Sequence, residues 1–197
     1  MADSKADELG KVQSAIMDLV VAIPESAEQP VELPAVRAHA IAQAAARKNS
    51  LIAASMALPP GILGWLTVLP ELLGVWKVQA QMVADIAAVY GQKKALGREQ
   101  MLYCLFKHVA AQLFRDVIVR VGERAVVQQT TYKMLQSITQ QLGLVLSKAL
   151  LKRSASRFVP FLGAATVGAY AYFDTLQVAR NATELFERAT VIDEIKR

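Results

Sequence analysis

Apolar residues recur at steps of three and four along most of the chain, the period that places side chains on one face of an α-helix. The clearest run covers residues 75–90 and is followed by Gly91, a residue type that commonly ends helices. Further helices are predicted over residues 98–117 and after Gly122. The alternation typical of strands is nearly absent. The pattern therefore predicts an all-α fold, a compact bundle of about six or seven helices.

The first 34 residues differ in charge from the rest of the chain. They contain seven acids and two bases, which gives a net charge of −5. A helix is predicted up to about Val21, and it is followed by three prolines, Pro24, Pro30 and Pro34. We therefore predict an acidic N-terminal helix and proline-rich linker in residues 1–34, and a helical domain in residues 35–197.

Two segments carry no charge. The first is residues 50–70, SLIAASMALPPGILGWLTVLP, and its 21 residues match the length of about 20 that a transmembrane helix needs. Pro59, Pro60 and Gly61 lie near its middle, and an interior proline removes a helix hydrogen bond and clashes with the preceding turn. We therefore expect an interrupted hairpin, which either dips into one leaflet or folds as a buried hairpin.

The second uncharged segment is residues 158–173, FVPFLGAATVGAYAYF, whose 16 residues are too few to span a membrane unaided. Small residues four apart favour close approach by another helix. These are Ala164 with Gly168 and Ala165 with Ala169. The pattern fits a core helix held by its neighbours, whereas the preceding basic cluster and the tyrosine at Tyr170 are typical of an interfacial anchor.

Positive charge is concentrated beside this second segment. Residues 124–173 contain no acid, although the whole chain carries a net charge of only +5. A stretch of one sign attracts phosphate-bearing partners such as anionic lipid, unless the acidic N-terminal region balances it in space. Nucleic acid is not expected, because no aromatic residues interleave the bases and no binding module is present. The predicted membrane or partner contact comprises Trp65, Lys148, Lys152, Arg153, Arg157, Phe158, Phe161 and Tyr170.

The residues that usually carry catalysis or bind metals are scarce. The chain has one cysteine and two histidines, and no carboxylates at ligand spacing complete a metal site. Cys104 and His108 lie one helical turn apart, a spacing at which such residues usually only pack. We therefore predict no catalytic residue, no cofactor and no metal. The single cysteine and the acidic start favour a cytoplasmic location.

Glu71 is the one acidic residue placed between apolar stretches, and burying it unpaired would be costly. It is a candidate buried polar residue with two interpretations. It either caps a helix that begins near Pro70, or pairs with Lys77 or with a basic residue of the 148–157 cluster. Lys77, Gln81 and Asp85 recur every four residues and are interpreted as a solvated stripe.

Two stretches resemble the EcsC family of bacterial proteins, and the resemblance covers about residues 50–187. In the first stretch, a proline- and glycine-containing apolar hairpin leads to a helix with a characteristic end, here Ile86, Ala87, Tyr90 and Gly91. The second stretch carries the small-residue signature at Pro160, Gly163, Ala164, Gly168 and Ala169. The resemblance implies a helical protein linked to membrane transport and secretion, without implying a reaction.

These observations favour a non-enzymatic protein that associates peripherally with the cytoplasmic membrane face, through an anionic surface or a membrane protein. The alternative is a soluble carrier that binds a lipid or another hydrophobic ligand in its apolar interior, because the hydrophobic content is 54% and the mean hydropathy is +0.30. The sequence leaves open whether the chain forms a homo-oligomer.

Overall fold

The computed structural model describes the backbone of residues 2–56, 64–114, 118–121, 124–127, 132–154 and 160–195. It describes side-chain burial for residues 10–55, 72–113, 133–145 and 165–188. Within these ranges the chain forms six α-helices and one short hairpin, which confirms the predicted all-α class. The helices are α1 (Ala2–Val21), α2 (Pro34–Met56), α3 (Gly64–Val89), α4 (Arg98–Phe106), α5 (Tyr132–Ser154) and α6 (Pro160–Ile195).

Helix α3 is the centre of the bundle and contacts α1, α2, α4 and α6. The apolar face predicted for residues 75–90 is buried, and Trp76 packs edge-to-face on Phe106 of α4 with ring centroids 5.3 Å apart. The stretch Leu72–Val89 is the one described helix segment that is long and apolar enough to cross a membrane by composition. Because 61% of that stretch is buried inside the fold, it has the character of a core helix.

The end of α3 shows why glycine is required at position 91. Gly91 has a φ of +71°, a conformation that residues with a Cβ rarely adopt. Its N–H bonds to the carbonyl of Ala88, and the N–H of Gln92 bonds to that of Ala87. This pair of bonds satisfies two of the carbonyls that a helix end leaves unpaired. The predicted helix stop at Gly91 is confirmed.

The acidic N-terminal helix α1 belongs to the same hydrophobic core as the other helices. Its residues Val12, Ile16, Leu19 and Val20 are buried, and its main neighbour is α5. The methionine sulfur of Met17 accepts a hydrogen bond from the α5 hydroxyl of Thr139 at 3.3 Å, where the two helices meet.

The proline-rich segment after α1 is fastened to α3. The hydroxyl of Ser26 donates to Asp85 Oδ1 at 2.6 Å, and the amide of Gln81 donates to the Glu25 carbonyl at 3.0 Å. Further along, the N–H of Val31 bonds to the Val89 carbonyl. The interpretation of Gln81 and Asp85 as a solvated stripe was therefore wrong, because both side chains hold this segment in place.

The helix predicted over residues 98–117 is shorter in the structure. Helix α4 ends at Phe106 and is followed by a turn and by a 3₁₀ helix, Ala111–Phe114. All six residues 101–106 are buried, so this helix is surrounded by protein rather than amphipathic. Just after α4 ends, His108 forms a hydrogen bond with Asp174 of α6. The helical periodicity of the sequence carries no information about such a long-range contact.

The chain then forms an antiparallel hairpin of strands β1 (Ile118–Val121) and β2 (Arg124–Val127), with Ile118 opposite Val127. Periodicity alone predicted helix here, and that was wrong. Two runs rich in β-branched residues joined by two residues that include Gly122 are a hairpin signal, and this signal was the better guide.

Helix α3 begins at Gly64, six residues before Pro70. The helix dipole favours a carboxylate in the first turn of a helix. Glu71 lies beyond the first turn of α3. The capping interpretation of Glu71 was wrong for that reason. Its side chain lies outside the described residues, so pairing with a basic residue stays a prediction.

Candidate membrane-contact surface

Helices α2 and α6 lie side by side in opposite directions, and their contact joins the two uncharged segments. A Cβ placed on Gly168 would lie 3.0 Å from the Ser50 carbonyl oxygen and 3.2 Å from the Cβ of Ala54. One turn later along α6, the Tyr172 hydroxyl reaches Gln43 of α2 at 2.7 Å. A small residue at position 168 therefore allows close helix approach, as predicted, whereas the predicted pair Ala165 and Ala169 is exposed and does not take part in this contact.

The outer face of α6 changes character at Asp174. Before it, the exposed residues are all uncharged: Ala165, Thr166, Ala169, Tyr170 and Phe173. After it, up to residue 188 where the description of side chains ends, the exposed residues are all charged: Arg180, Glu184, Glu187 and Arg188. Tyr170 and Phe173 expose 50% and 68% of their surface. The first half of α6 is therefore a helix with one face packed on α2 and the other apolar and open, not a helix enclosed by the core.

Helix α2 makes the same change at the same level. Up to Lys48 its exposed residues are Arg37, His39, Arg47 and Lys48 together with Ala35, Val36, Ala40 and Ala44, whereas beyond Ser50 the exposed ones among the described residues are Leu51 and Ser55. Leu51 exposes 72% of its surface. Asn49 of α2 is hydrogen-bonded to Thr175 of α6. The change on α2 after Lys48 and the change on α6 at Asp174 therefore lie beside each other. We call the exposed residues 51–55 of α2 and 165–173 of α6 the uncharged end.

A buried polar network lies where the uncharged end meets the rest of the bundle. The Asn49 amide donates to Thr175 Oγ1 at 2.9 Å, and the Gln79 amide donates to Asp174 Oδ2 at 2.8 Å and to Thr175 Oγ1 at 3.2 Å. His108 Nε2 lies 2.8 Å from Asp174 Oδ1. The network therefore ties α2, α3 and the turn after α4 to one point on α6.

Two atoms of this network have no hydrogen-bond partner among the described residues. They are Asn49 Oδ1 and His108 Nδ1, and both are buried. Asn49, Gln79 and Thr175 are each at most 1% exposed. The hydrogen bonds that these three side chains and Asp174 do make link α6 to α2 and α3.

Of the predicted contact residues, the structure places Tyr170 on the uncharged end. Trp65 lies in the first turn of α3 and Phe161 in the first turn of α6, with side chains outside the described set. Lys148, Lys152 and Arg153 lie in the C-terminal half of α5, also without described side chains. Arg157 and Phe158 are outside the described residues.

Sequence reasoning missed Leu51 and Phe173, which are exposed on the uncharged end. Phe173 lies three positions after Tyr170, a spacing that puts both on one helix face and could have identified it. Leu51 carries no such signal, because its exposure depends on the contact that the neighbouring Ser50 makes with Gly168.

Cys104 and His108 do not form a nucleophilic pair. Cys104 is fully buried, and that burial raises the pKa of its thiol far above the usual range. His108 instead hydrogen-bonds Asp174. Within the described part of the chain, no group of three or more histidine, cysteine or carboxylate side chains is placed to hold a metal ion.

A surface groove with a volume of about 1040 Å³ lies between α1 and α3. Its walls include Ala15 and Leu19 of α1 and Leu73, Lys77 and Ala80 of α3. This groove is open to solvent, unlike the internal cavity that the carrier alternative expects.

The fold and surface together define a small helical bundle with one uncharged, apolar end. Comparison of the chain with protein-family models, curated proteins and solved structures gave no significant match. The resemblance to the EcsC family therefore stays a prediction.

Proposed function

We propose that the uncharged end docks onto an anionic membrane surface, so that the protein associates peripherally with the cytoplasmic membrane face in a non-enzymatic role. The observation that supports this most directly is the simultaneous loss of exposed charge on α2 and α6 at one end of their contact. Contiguous apolar surface on a soluble fold commonly marks a protein or membrane contact.

The apolar part of the interaction comes from Leu51, Tyr170 and Phe173. Burying a whole side chain of this size is worth about 1.5–3 kcal/mol, so the exposed fractions of these three would contribute about 3–5 kcal/mol. This is enough for reversible membrane binding, but not for permanent insertion.

The basic part comes from the C-terminal half of α5 and from Arg157, which follows it in sequence. Helix α5 ends at Ser154 and α6 begins at Pro160, so the two helix ends lie no more than about 22 Å apart along six residue steps. Lys152 and Arg153 in the last turn of α5 therefore stay near the start of the uncharged half of α6. A basic residue near an anionic surface contributes about 1 kcal/mol, which gives about 4 kcal/mol for Lys148, Lys152, Arg153 and Arg157 together.

The proposal is tested by flotation with phosphatidylcholine vesicles that do or do not contain phosphatidylglycerol. The variant Leu51→Ser should weaken binding about fivefold to tenfold, since it removes most of one apolar contact. Leu33→Ser is the matched control, because Leu33 is 69% exposed and precedes the opposite end of α2.

High salt should weaken flotation without abolishing it, because only the basic contribution is screened. Equal losses in Leu51→Ser and Leu33→Ser would contradict the uncharged end as the contact. Absence of flotation with both vesicle types would exclude direct lipid binding and would favour a membrane-protein partner.

A further inference from the structure

The uncharged end concentrates its apolar area in a few side chains. Leu51, Tyr170 and Phe173 expose 72%, 50% and 68% of their surface. The other exposed residues described there are small: Ser55, Ala165, Thr166 and Ala169. The surface therefore presents three bulky side chains that project from a background of small, uncharged ones.

Contacts within the fold hold this surface in its shape. The Tyr172 hydroxyl donates to Gln43 of α2 at 2.7 Å, and the Phe173 ring packs edge-to-face on the Tyr172 ring with centroids 5.6 Å apart. On either side, α6 is held by its close approach to α2 at Gly168 and by the polar network at Thr175. A preformed surface of this kind loses little conformational freedom on binding, so the cost of a contact lies mainly in the membrane.

That cost depends on how closely the lipids are packed. In a flat leaflet, neighbouring lipids have to be separated for each bulky side chain that enters. In a strongly curved leaflet, the outward bend spreads the headgroups and opens gaps over the acyl chains. Interfacial binding through apolar side chains is therefore sensitive to curvature.

The length of the uncharged half of α6 favours entry from one side of the membrane. Residues 160–173 extend about 20 Å at about 1.5 Å per residue. This is less than the hydrocarbon core of about 30 Å, so the segment enters the bilayer without crossing it. Side chains that enter from one side enlarge the area of that leaflet alone, which favours bending toward the protein.

We propose that the uncharged end makes the protein selective for strongly curved anionic membranes over flat membranes of the same lipid composition. This inference rests on the proposed membrane docking and adds a preference among membranes to it. The basic residues of the 148–157 cluster respond to lipid charge, which composition determines. Leu51, Tyr170 and Phe173 respond to lipid packing, which curvature changes.

The test is flotation of the full chain with small sonicated and large extruded vesicles of one phosphatidylcholine–phosphatidylglycerol mixture, at equal amounts of outer-leaflet lipid. Binding to the small vesicles should be about fivefold tighter, which corresponds to about 1 kcal/mol. High salt should weaken binding to both sizes and leave this ratio in place, because salt screens only the basic contribution. Large vesicles that also contain diacylglycerol, whose small headgroup opens gaps in a flat leaflet, should bind nearly as tightly as the small ones.

Phe173→Ser removes one bulky side chain from the exposed face and should reduce the ratio of the two affinities to about twofold. Leu33→Ser should keep the full ratio and is the matched control, because Leu33 is 69% exposed and precedes the opposite end of α2. Circular dichroism spectra of both variants should match that of the parent chain.

The outcomes separate this inference from the proposed function. Equal binding to vesicles of both sizes would overturn the curvature preference and leave membrane docking standing, whereas no flotation with any vesicle would overturn both. The preference would also be overturned by a ratio that disappears in high salt, by large vesicles that diacylglycerol does not improve, or by equal ratios in Phe173→Ser and Leu33→Ser.

Discussion

The two halves of α6 share one inner face and have different outer faces. Inward, the helix is packed continuously, from Gly168 and Ala171 in the first half to Val178, Ala182 and Phe186 in the second. Outward, the first half exposes Tyr170 and Phe173, and the second exposes arginines and glutamates. Packing requirements are therefore similar along the helix, and they do not explain the difference in the outer face.

The first half of α6 is more hydrophobic than its packing on α2 and α3 requires. A helix that packs on one side is usually charged on the other, as the second half of α6 is. The first half lacks charge on its open side, and so does the adjoining end of α2. The proposed membrane contact would account for both helices at once.

The largest expected effect concerns the junction between the halves. Asp174→Ala removes the carboxylate that bonds both Gln79 and His108, and leaves Gln79 with only its bond to Thr175. The expected loss in the free energy of unfolding is about 2–4 kcal/mol, measured by urea denaturation. Glu184→Ala, which breaks the partly exposed pair with Lys107, should cost at most about 1 kcal/mol. Similar losses in the free energy of unfolding of both variants would show that the polar network does not hold the two halves of α6 in place.

A smaller difference in stability is expected between variants at two neighbouring positions in the first half of α6. Gly168→Leu places a side chain 3.0 Å from a backbone oxygen of α2, and overpacking of this kind costs about 1–3 kcal/mol. Ala169→Leu adds the same side chain on the exposed face and should change stability by less than about 0.5 kcal/mol. Thermal unfolding compares the two variants, and equal melting temperatures would contradict the assignment of inner and outer faces.

The smallest effect is expected in the reactivity of Cys104. Because burial raises the pKa of its thiol, the nucleophilic thiolate is not populated in the folded chain at neutral or mildly alkaline pH. A thiol reagent should therefore label Cys104 only after denaturant unfolds the protein. Rapid labelling of the native chain at pH 8 would show that the α4 region opens readily.

Sequence patterns predicted the parts of this fold that depend on local periodicity or on backbone conformation. The buried face of α3, the stop at Gly91 and the close approach at Gly168 are of this kind. The end of α4 at Phe106 and the polar network were not predicted. Asn49 bonds a residue 126 positions away and His108 one 66 positions away, and periodicity contains no information on such pairs.

The candidate contact surface could be predicted only in part, again because sequence periodicity contains no information on long-range contacts. An uncharged segment is visible in sequence, but which of its residues are exposed depends on the helix packed against it. Tyr170 is exposed on the uncharged end, and Phe173 shares its helix face at a spacing of three residues, whereas the exposure of Leu51 became evident only from the α2–α6 contact.

The most direct test of the membrane account compares the two halves of α6 in one experiment. Phe173→Cys and Arg180→Cys each introduce a single exposed thiol, and the buried Cys104 stays unlabelled in the folded chain. Both variants are labelled with a polarity-sensitive fluorophore and mixed with vesicles containing phosphatidylglycerol. The account predicts a blue shift and an intensity gain for the label at position 173 and no change for the label at position 180. Equal responses at both positions, or a response at position 180 alone, would contradict it.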